Sequence, residues 1–327
     1  MKTAVVTGAT GCVGRNLINE LLADKWKIIA LHRASSKISR LKGLDITTRE
    51  CDLHEPASVQ AAMPGGADAI FHVAANTSHW SLEAAEQWRD NVLATRNLVA
   101  AALDKSAGRF VYTSTGATFP YRHLRTVEEA RQIPNQYVRT KRLSELEVCS
   151  GMDRGLDAVL TQPAIVMGPY DYNSYSQIFT SLQAGKLPGV LPGSIEFCHA
   201  RDVARAHVRA FEVGQRGESY LLGGPYVSWL EVFQKIARLI GAKPPKHKTP
   251  LWVLYAVAYP AEWVSYLTRK KPLITPQLIQ LLKLGGLTPS TEAHKSREIL
   301  SYQSASLDTM LRDCYEWLVA EGLLRPA

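Results

Sequence analysis

The chain has 327 residues, 46% of them apolar and 21% charged, with a formal net charge of +8; this is an ordinary soluble globular composition, long enough for one large domain with a smaller lobe but not for three domains. Lys and Arg are scattered and the densest cluster, TRKKP at 268–272, is short, so the excess charge points to a phosphate-bearing ligand and away from DNA or RNA. Five widely spaced cysteines without a C-x-x-C exclude a disulfide framework and a zinc module, and no metal is expected.

In chain order, TAVVT (3–7) is a β-branched apolar run that stops at glycines. It is too short for the apolar core of a signal peptide, and a reducing, cytoplasmic setting is expected. RNLINELLAD then carries Leu17, Ile18, Leu21 and Leu22 at helical spacing, so strand, tight turn and helix follow one another. KIIALH (27–32), ITTRECDL (46–53), ADAIFHVAA (67–75), RFVYTST (109–115) and DAVLTQPAIV (157–166) read as further strands. Helices are expected over 90–105, 137–150 and 200–213. Apolar runs without strict alternation, separated by helices, indicate a parallel sheet covered on both faces. The fold class is therefore α/β, a doubly wound parallel sheet of the Rossmann type with a smaller, mostly helical C-terminal substrate lobe. The dinucleotide domain is expected over 1–162, with 199–216 returning to it, and the lobe over 163–198 and 217–327. PLWVLYAVAYPAEWVSYL (250–267) is interrupted by Pro260 and Glu262 and is at the lower limit of a spanning length. A buried or substrate-lining helix is the favoured reading, with no membrane partner. The alternative is an interfacial helix with Trp252, Trp263, Arg269, Lys270 and Lys271 at the headgroups.

TGATGCVG (7–14) places glycines at 8, 11 and 14 between the first strand and its helix. Glycine is needed where backbone turns tightly and where a pyrophosphate approaches the amides; Gly8, Thr10, Gly11, Cys12, Val13 and Gly14 are expected to cradle it at the helix N-terminus. At the end of the second strand an NAD-selective site would carry Asp or Glu. This chain offers His32, Arg33, Ser35, Ser36 and Lys37. A guanidinium with nearby hydroxyls and an ammonium suits a 2′-phosphate, so NADP(H) is favoured over NAD(H), with Arg33 and Lys37 as its ligands. Asp52 and Leu53 are placed where an adenine would lie. Tyr137 and Lys141 are four apart in YVRTK, on one helix face, after a strand that ends YTST. A phenol is a poor acid or base at neutral pH; a nearby ammonium, with a positively charged nicotinamide, favours the phenolate.

These motifs, with CDL, HVAA, DNVLATRNLV, RFVYTST and QPAIVMGP, resemble the extended short-chain dehydrogenase/reductases over nearly the whole chain. The dihydroflavonol-reductase-like branch, which shades into sugar-epimerase-like and 3β-hydroxysteroid-dehydrogenase-like members, is the most similar. The resemblance implies a catalytic set of Thr115, Tyr137 and Lys141. In it Tyr137 transfers the proton, Lys141 holds the nicotinamide ribose, and Asn91 braces the site. Ser114 is the alternative to Thr115, since strand alternation allows only one of them to face the site. Ala74, Ala75 and Asn76 should line the cofactor path, and Pro163, Ile165 and Val166 the nicotinamide. Cys12 departs from the usual residue type there and reads as a small packed thiol. No Arg precedes Pro163, which weakens the epimerase option.

For the substrate, Trp80, Phe119, Met167, Tyr170 and Tyr175 are the expected wall, joined by His79, Tyr172, Phe179 and Trp229; an aromatic surface suits an apolar carbonyl compound. The expected activity is NADPH-dependent reduction of an aldehyde or ketone, reversible as an alcohol dehydrogenase. The alternatives are a nucleotide-sugar epimerase or dehydratase and a 3β-hydroxysteroid-dehydrogenase-like enzyme. The expected partner is the small-molecule carbonyl or alcohol. The resemblance leaves a homodimer open, through the helices that carry Asn91 and Tyr137.

Overall fold

The computed structural model describes residues 1–187, 189–284 and 293–327. The described residues form ten strands: β1 (Thr3–Thr7), β2 (Lys27–His32), β3 (Thr47–Glu50), β4 (Ala69–His72), β5 (Arg109–Thr113), β6 (Asp157–Pro163), β7 (Ile165–Met167), β8 (Ser194–His199), β9 (Ser219–Leu222) and β10 (Tyr226–Ser228). Seven of them make one sheet in the order β3-β2-β1-β4-β5-β6-β9, every neighbouring pair parallel. The chain reverses its direction of travel across the sheet between β1 and β4, and such a switch point opens a crevice at the carboxyl ends of the strands.

Side-chain alternation sorts the strand residues onto two apolar layers. Ala4, Val6, Phe71, Val111 and Val159 meet Leu17, Ile18, Leu21, Val203 and Ala204, from helices Cys12–Ala23 and Ala200–Val213. Val5, Ile70, Phe110, Tyr112 and Leu160 meet Leu98, Val99 and Val148, from helices Ala94–Asp104 and Gln136–Asp153. Both faces are dry, which is why these strands read as unbroken apolar runs. His207 pins the first layer from inside. Its Nδ1–H donates to the Val203 carbonyl at 2.7 Å, so Nε2 accepts from the Thr113 hydroxyl at 2.7 Å; Thr161 Oγ1, which donates to the Tyr112 carbonyl at 3.3 Å, lies 3.0 Å from the same nitrogen. Burial lowers its pKa to about 4 and keeps it neutral.

A second sheet, β10-β8-β7, carries the C-terminal lobe. Its core is Met167, Phe179, Phe197, Trp229 and Phe233, closed by Met310 and Leu311 from helix Leu307–Ala320.

Several boundaries differ from expectation. β3 stops at Glu50 and its residues are mostly exposed, as suits a short edge strand; Asp52 therefore lies beyond it. The run 157–166 breaks after Pro163, which has no N–H to continue a ladder, and β7 leaves to pair with β8. Ser219–Leu222, in a region read as mostly helical, is the seventh strand of the large sheet. Helix Leu251–Thr268 is neither buried nor part of the cleft wall. It rests on Leu254, Ala258 and Ser265 and turns Trp252, Tyr259 and Trp263 outward. Among the described residues no helix is long and apolar enough to cross a membrane.

A β-carbon at Gly14 would stand 2.2 Å from the Gly8 carbonyl oxygen, so helix Cys12–Ala23 can seat on β1 only with glycine there. Gly14→Ala is expected to destabilise the protein by about 1–3 kcal/mol through this overlap. Urea unfolding should show a lower midpoint with an unchanged slope, and an unmoved midpoint would contradict the close seating.

Candidate active site

The carboxyl ends of β1, β4, β5 and β6 border one continuous cleft of about 1180 Å³. Small-molecule pockets run to roughly 300–1,000 Å³, so a dinucleotide and a second molecule fit together. At one end lie Gly8, Thr10, Gly11, Cys12, Val13 and Gly14. Gly8 has φ +70°, and a β-carbon there would meet the Ala74 amide nitrogen at 2.7 Å; the turn after β1 and the loop after β4 are pressed together. Gly11 caps the helix without a side chain over the first amides. That leaves bare amides and the positive end of the dipole, which suit a phosphate.

At the far end of the same wall lie His32, Arg33, Ser36, Leu53 and His54. Arg33 Nη1 reaches Asp90 Oδ1 at 3.2 Å, and Asp90 also accepts from Asn76 Nδ2 and lies 2.9 Å from His54 Nε2. Lys37 and Asp52, expected as cofactor ligands, are exposed and do not line the cleft. The Asp52 carboxylate instead accepts the His54 amide at 2.9 Å. Arg40, which the sequence reading did not single out, does line it. Its guanidinium lies 3.4 Å from the centre of the Tyr172 ring and donates to the Thr10 carbonyl at 3.4 Å; Tyr172 in turn donates to Glu321 at 3.1 Å.

The middle of the cleft brings together Thr115, Tyr137, Lys141, Pro163, Ile165, Val166, Ala74, Ala75 and Asn76. Helix Gln136–Asp153 starts at Asn135, whose side chain accepts from the Val138 amide at 3.1 Å, and its first turns set Tyr137 and Lys141 beside β5. Ser114 and Thr115 follow the end of β5, the first buried and the second half-buried. Ser114 Oγ donates to the buried Glu145 carboxylate at 2.5 Å, which also accepts from Thr118 (2.7 Å), Gln162 (3.0 Å) and Arg142 (2.6 Å). Ser114, Thr115 and Tyr137 all border the cleft, with the Thr115 hydroxyl beside the Tyr137 phenol.

Burial pushes the Tyr137 phenol up to about 12, with the Thr115 hydrogen bond pulling the other way. Burial also lowers Lys141 to about 7, opposed by the Glu145 carboxylate. Its ammonium donates to Tyr112 Oη at 2.7 Å and to the Thr113 carbonyl at 2.8 Å. The expected acidification of the phenol by the ammonium is therefore not what the protein groups achieve alone: Tyr137 stays protonated at neutral pH.

Beneath these residues runs a buried polar chain. Thr95 donates to the Asn91 carbonyl at 2.6 Å, so its oxygen accepts from His72 Nε2–H at 2.9 Å, and His72 Nδ1 accepts from Thr7 at 2.8 Å. The Thr7 oxygen then takes the Ala74 amide at 3.1 Å. Asn91 sits in a π-helical turn, Arg89–Leu93, a local form frequent at functional sites. Its side chain accepts from the Asn76 amide at 2.7 Å and donates to the Asn76 carbonyl and Thr140 Oγ1, both at 3.0 Å. It ties the loop after β4 to the helix of Tyr137.

Of the expected substrate wall, Tyr170 and Tyr175 line the cleft, as do His79, Tyr172 and Trp229; Tyr137 meets the His79 ring edge-on at 5.5 Å. Trp80, Phe119 and Met167 do not. Trp80 is buried and donates to Ser265 Oγ at 2.7 Å, Phe119 lies beneath the Arg122 guanidinium, and Met167 and Phe179 are fully buried in the lobe core. Their places are taken by Leu191, Ile195, Phe233, Ile274, Leu278 and Leu281. The helical spacing of Ile274, Leu278 and Leu281 was visible in the sequence, but spacing alone does not tell core from cleft. Among the described residues no group of acidic, Cys or His side chains is placed to hold a metal ion.

A family model described as the NAD dependent epimerase/dehydratase family matches residues 4–223. The chain is 28% identical to the "Putative dihydroflavonol 4-reductase" of Synechocystis over 98% of its length and 95% of the relative's. It is also 28% identical to the "Sterol demethylase protein B" of Methylococcus capsulatus, over 98% of the chain and all of that relative. Among solved structures, gox2253 superposes with a TM-score of 0.82 at 27% identity, covering 99% of this chain and 100% of that one.

Two outcomes follow from the geometry. Ser114→Ala leaves buried Glu145 short of a donor and is expected to cost roughly 1–3 kcal/mol of stability while retaining turnover. Thr115→Val is expected to reduce turnover by about 10²-fold with a smaller effect on unfolding; the reverse pattern would reassign the hydroxyl. The second outcome concerns Lys141, whose folded pKa of about 7 lies below its unfolded value of 10.5. Between those values the unfolded chain holds the extra proton, so the residue's contribution to stability rises with pH across that window. Urea titrations from pH 7 to 10 should show wild type gaining on Lys141→Met, and a constant difference would contradict the lowered Lys141 pKa.

Proposed function

The chain belongs to the NAD dependent epimerase/dehydratase family of extended short-chain dehydrogenases/reductases, and from that premise we propose that it is an NADPH-dependent reductase of an apolar ketone or aldehyde. The observation that carries this reading is the placement of Thr115 beside Tyr137, a phenol protonated at neutral pH, in a cleft with mostly apolar walls that is continuous with the glycine-rich turn. The cradle of Gly8, Gly11 and Gly14, the bare helix end and the length of the cleft suit a dinucleotide.

A bound reduced nicotinamide supplies a hydride for the carbonyl carbon. The protein manages the oxygen. Thr115 donates a hydrogen bond that orients it, and Tyr137 passes its phenolic proton to it as charge develops. A group that must give up a proton is useful when it holds that proton at working pH, which a phenol near 12 does. Lys141 sets its amino group under the site. Its anchors at Tyr112 and Thr113 and the Asn91 brace fix the geometry against the loop after β4, in keeping with the positional accuracy that proton transfer needs.

The preference for NADPH rests on Arg33, Ser36 and Arg40 lining the same end. Arg33 is engaged by Asp90, yet its side chain is 55% exposed. Such a pair is worth about 0–1 kcal/mol, and a dianionic phosphate outcompetes it. The names of the relatives, a dihydroflavonol reductase and a sterol-processing protein, fit a bulky apolar carbonyl substrate, as does the aromatic and aliphatic wall.

Mixing the protein with NADPH and a panel of hydrophobic ketones and aldehydes, and following loss of nicotinamide absorbance, tests the reading. Steady loss with NADPH faster than with NADH is expected. Tyr137→Phe should reduce it by about 10²–10⁴-fold without weakening NADPH binding measured by fluorescence. Because the phenol must be ionised to accept a proton, alcohol oxidation should speed up as pH rises toward about 12, while reduction holds and then falls. No consumption with any carbonyl, together with tightly held cofactor, would move the assignment to an internal redox cycle such as epimerisation.

A further inference from the structure

We infer that helix Leu251–Thr268 docks the protein, lying flat, on the surface of a bilayer that contains anionic lipid. The helix inverts the usual pattern of a surface helix, whose outer face is polar. Its inner side uses Leu254, Ala258 and Ser265. Its outer side presents Trp252 (73% exposed), Tyr259 (61%), Trp263 (66%) and Leu267 (72%) at helical spacing. No charged side chain interrupts that stripe; the one acidic residue of the helix, Glu262, accepts from Ser81 at 2.6 Å. Scattered exposed apolar residues are normal, but an aligned aromatic row on one helix is not. Trp and Tyr are the residues that settle at a lipid headgroup boundary.

The charge around the row selects the occupant. Lys243, Lys246 and Lys248 precede the helix and Arg269 and Lys270 follow it, all exposed. None of these five forms an ion pair among the described residues. An apolar row with cations at both ends matches an acyl boundary rimmed by anionic headgroups. A second copy of the chain would bring the same cations against these, which like-charge repulsion opposes. Among the described residues no helix is long and apolar enough to cross a membrane, so the docking is to the surface of the bilayer. The cleft supports the same orientation: Lys271, Pro272, Leu273 and Ile274, directly after the helix, line its wall, and Leu273 is 59% exposed. The substrate end of the cleft therefore opens beside the docked face. The docking itself does not depend on the reductase reading.

Cosedimentation with vesicles of phosphatidylcholine, with and without phosphatidylglycerol, tests it. Wild type should sediment with the anionic vesicles, less with the neutral ones, and less as salt rises, with tryptophan emission shifting to the blue. The double variant Trp252→Ser/Trp263→Ser should bind at least about tenfold more weakly while its circular dichroism and melting stay those of wild type. Arg269→Gln and Lys270→Gln should each weaken anionic binding by about fivefold. Sedimentation of the tryptophan variant equal to wild type, or equal binding to both vesicle types, overturns the proposal. So does an absence of vesicle binding alongside a concentration-dependent dimer that Trp263→Ser dissociates; that result gives the face to a second copy. Vesicle binding with no carbonyl reduction would remove only the proposed activity.

Discussion

A lysine amino group buried to 1% exposure is the constraint around which this molecule is arranged. Lys141 can stay there because the Tyr112 hydroxyl and the Thr113 carbonyl receive two of its protons and Glu145 lies nearby. Each of those partners belongs to an element that the fold holds for other reasons. Tyr112 is packed in the second apolar layer, Thr113 ends a central strand, and Glu145 is clamped by Ser114, Thr118, Gln162 and Arg142. Burying a charge costs several kcal/mol unless such partners are present. The arrangement thus fixes the register of helix Gln136–Asp153 against β5, and with it the position of Tyr137.

The neighbouring hydroxyls of Ser114 and Thr115 differ in what they bond. Both border the cleft, but Ser114 is buried and donates to Glu145, whereas Thr115 is half-buried and accepts the Ala117 amide. The polar chain from Thr7 through His72, Thr95 and Asn91 does comparable work on the other side. His72 is held neutral, its pKa lowered to about 3 by burial and by the Lys141 charge, so it serves as a fixed donor and acceptor. Its role is to hold the loop after β4 at the distance that Gly8 alone permits.

The sequence carries those parts of the site that are set by local spacing. The glycine turn, the Tyr137–Lys141 tetrad and the strand that delivers Thr115 each follow from a few adjacent residues and from the alternation of runs that makes a parallel sheet. What it does not carry is set by distant packing. Met167 and Phe179 look like cleft aromatics or aliphatics as readily as Trp229 does, yet they fill the lobe core. Lys37 and Arg40 are three apart on one short turn, and only the second meets the cleft, because the 3₁₀ turn Ile38–Leu41 swings it there. Ser219–Leu222 is only four residues long, flanked by glycines, and is stabilised as a strand by its neighbour β6.

The stack of Arg40 on Tyr172 joins the two halves of the protein. Arg40 belongs to the turn after β2 and also reaches the phosphate loop at Thr10, while Tyr172 leans on Trp317 and bonds Glu321 of the C-terminal segment. A guanidinium on an aromatic face is a soft, slidable contact that holds position without locking it. The two lobes are thus sewn by a seam beside the phosphate-binding loop, and Arg40 is the residue that touches both that loop and the far lobe.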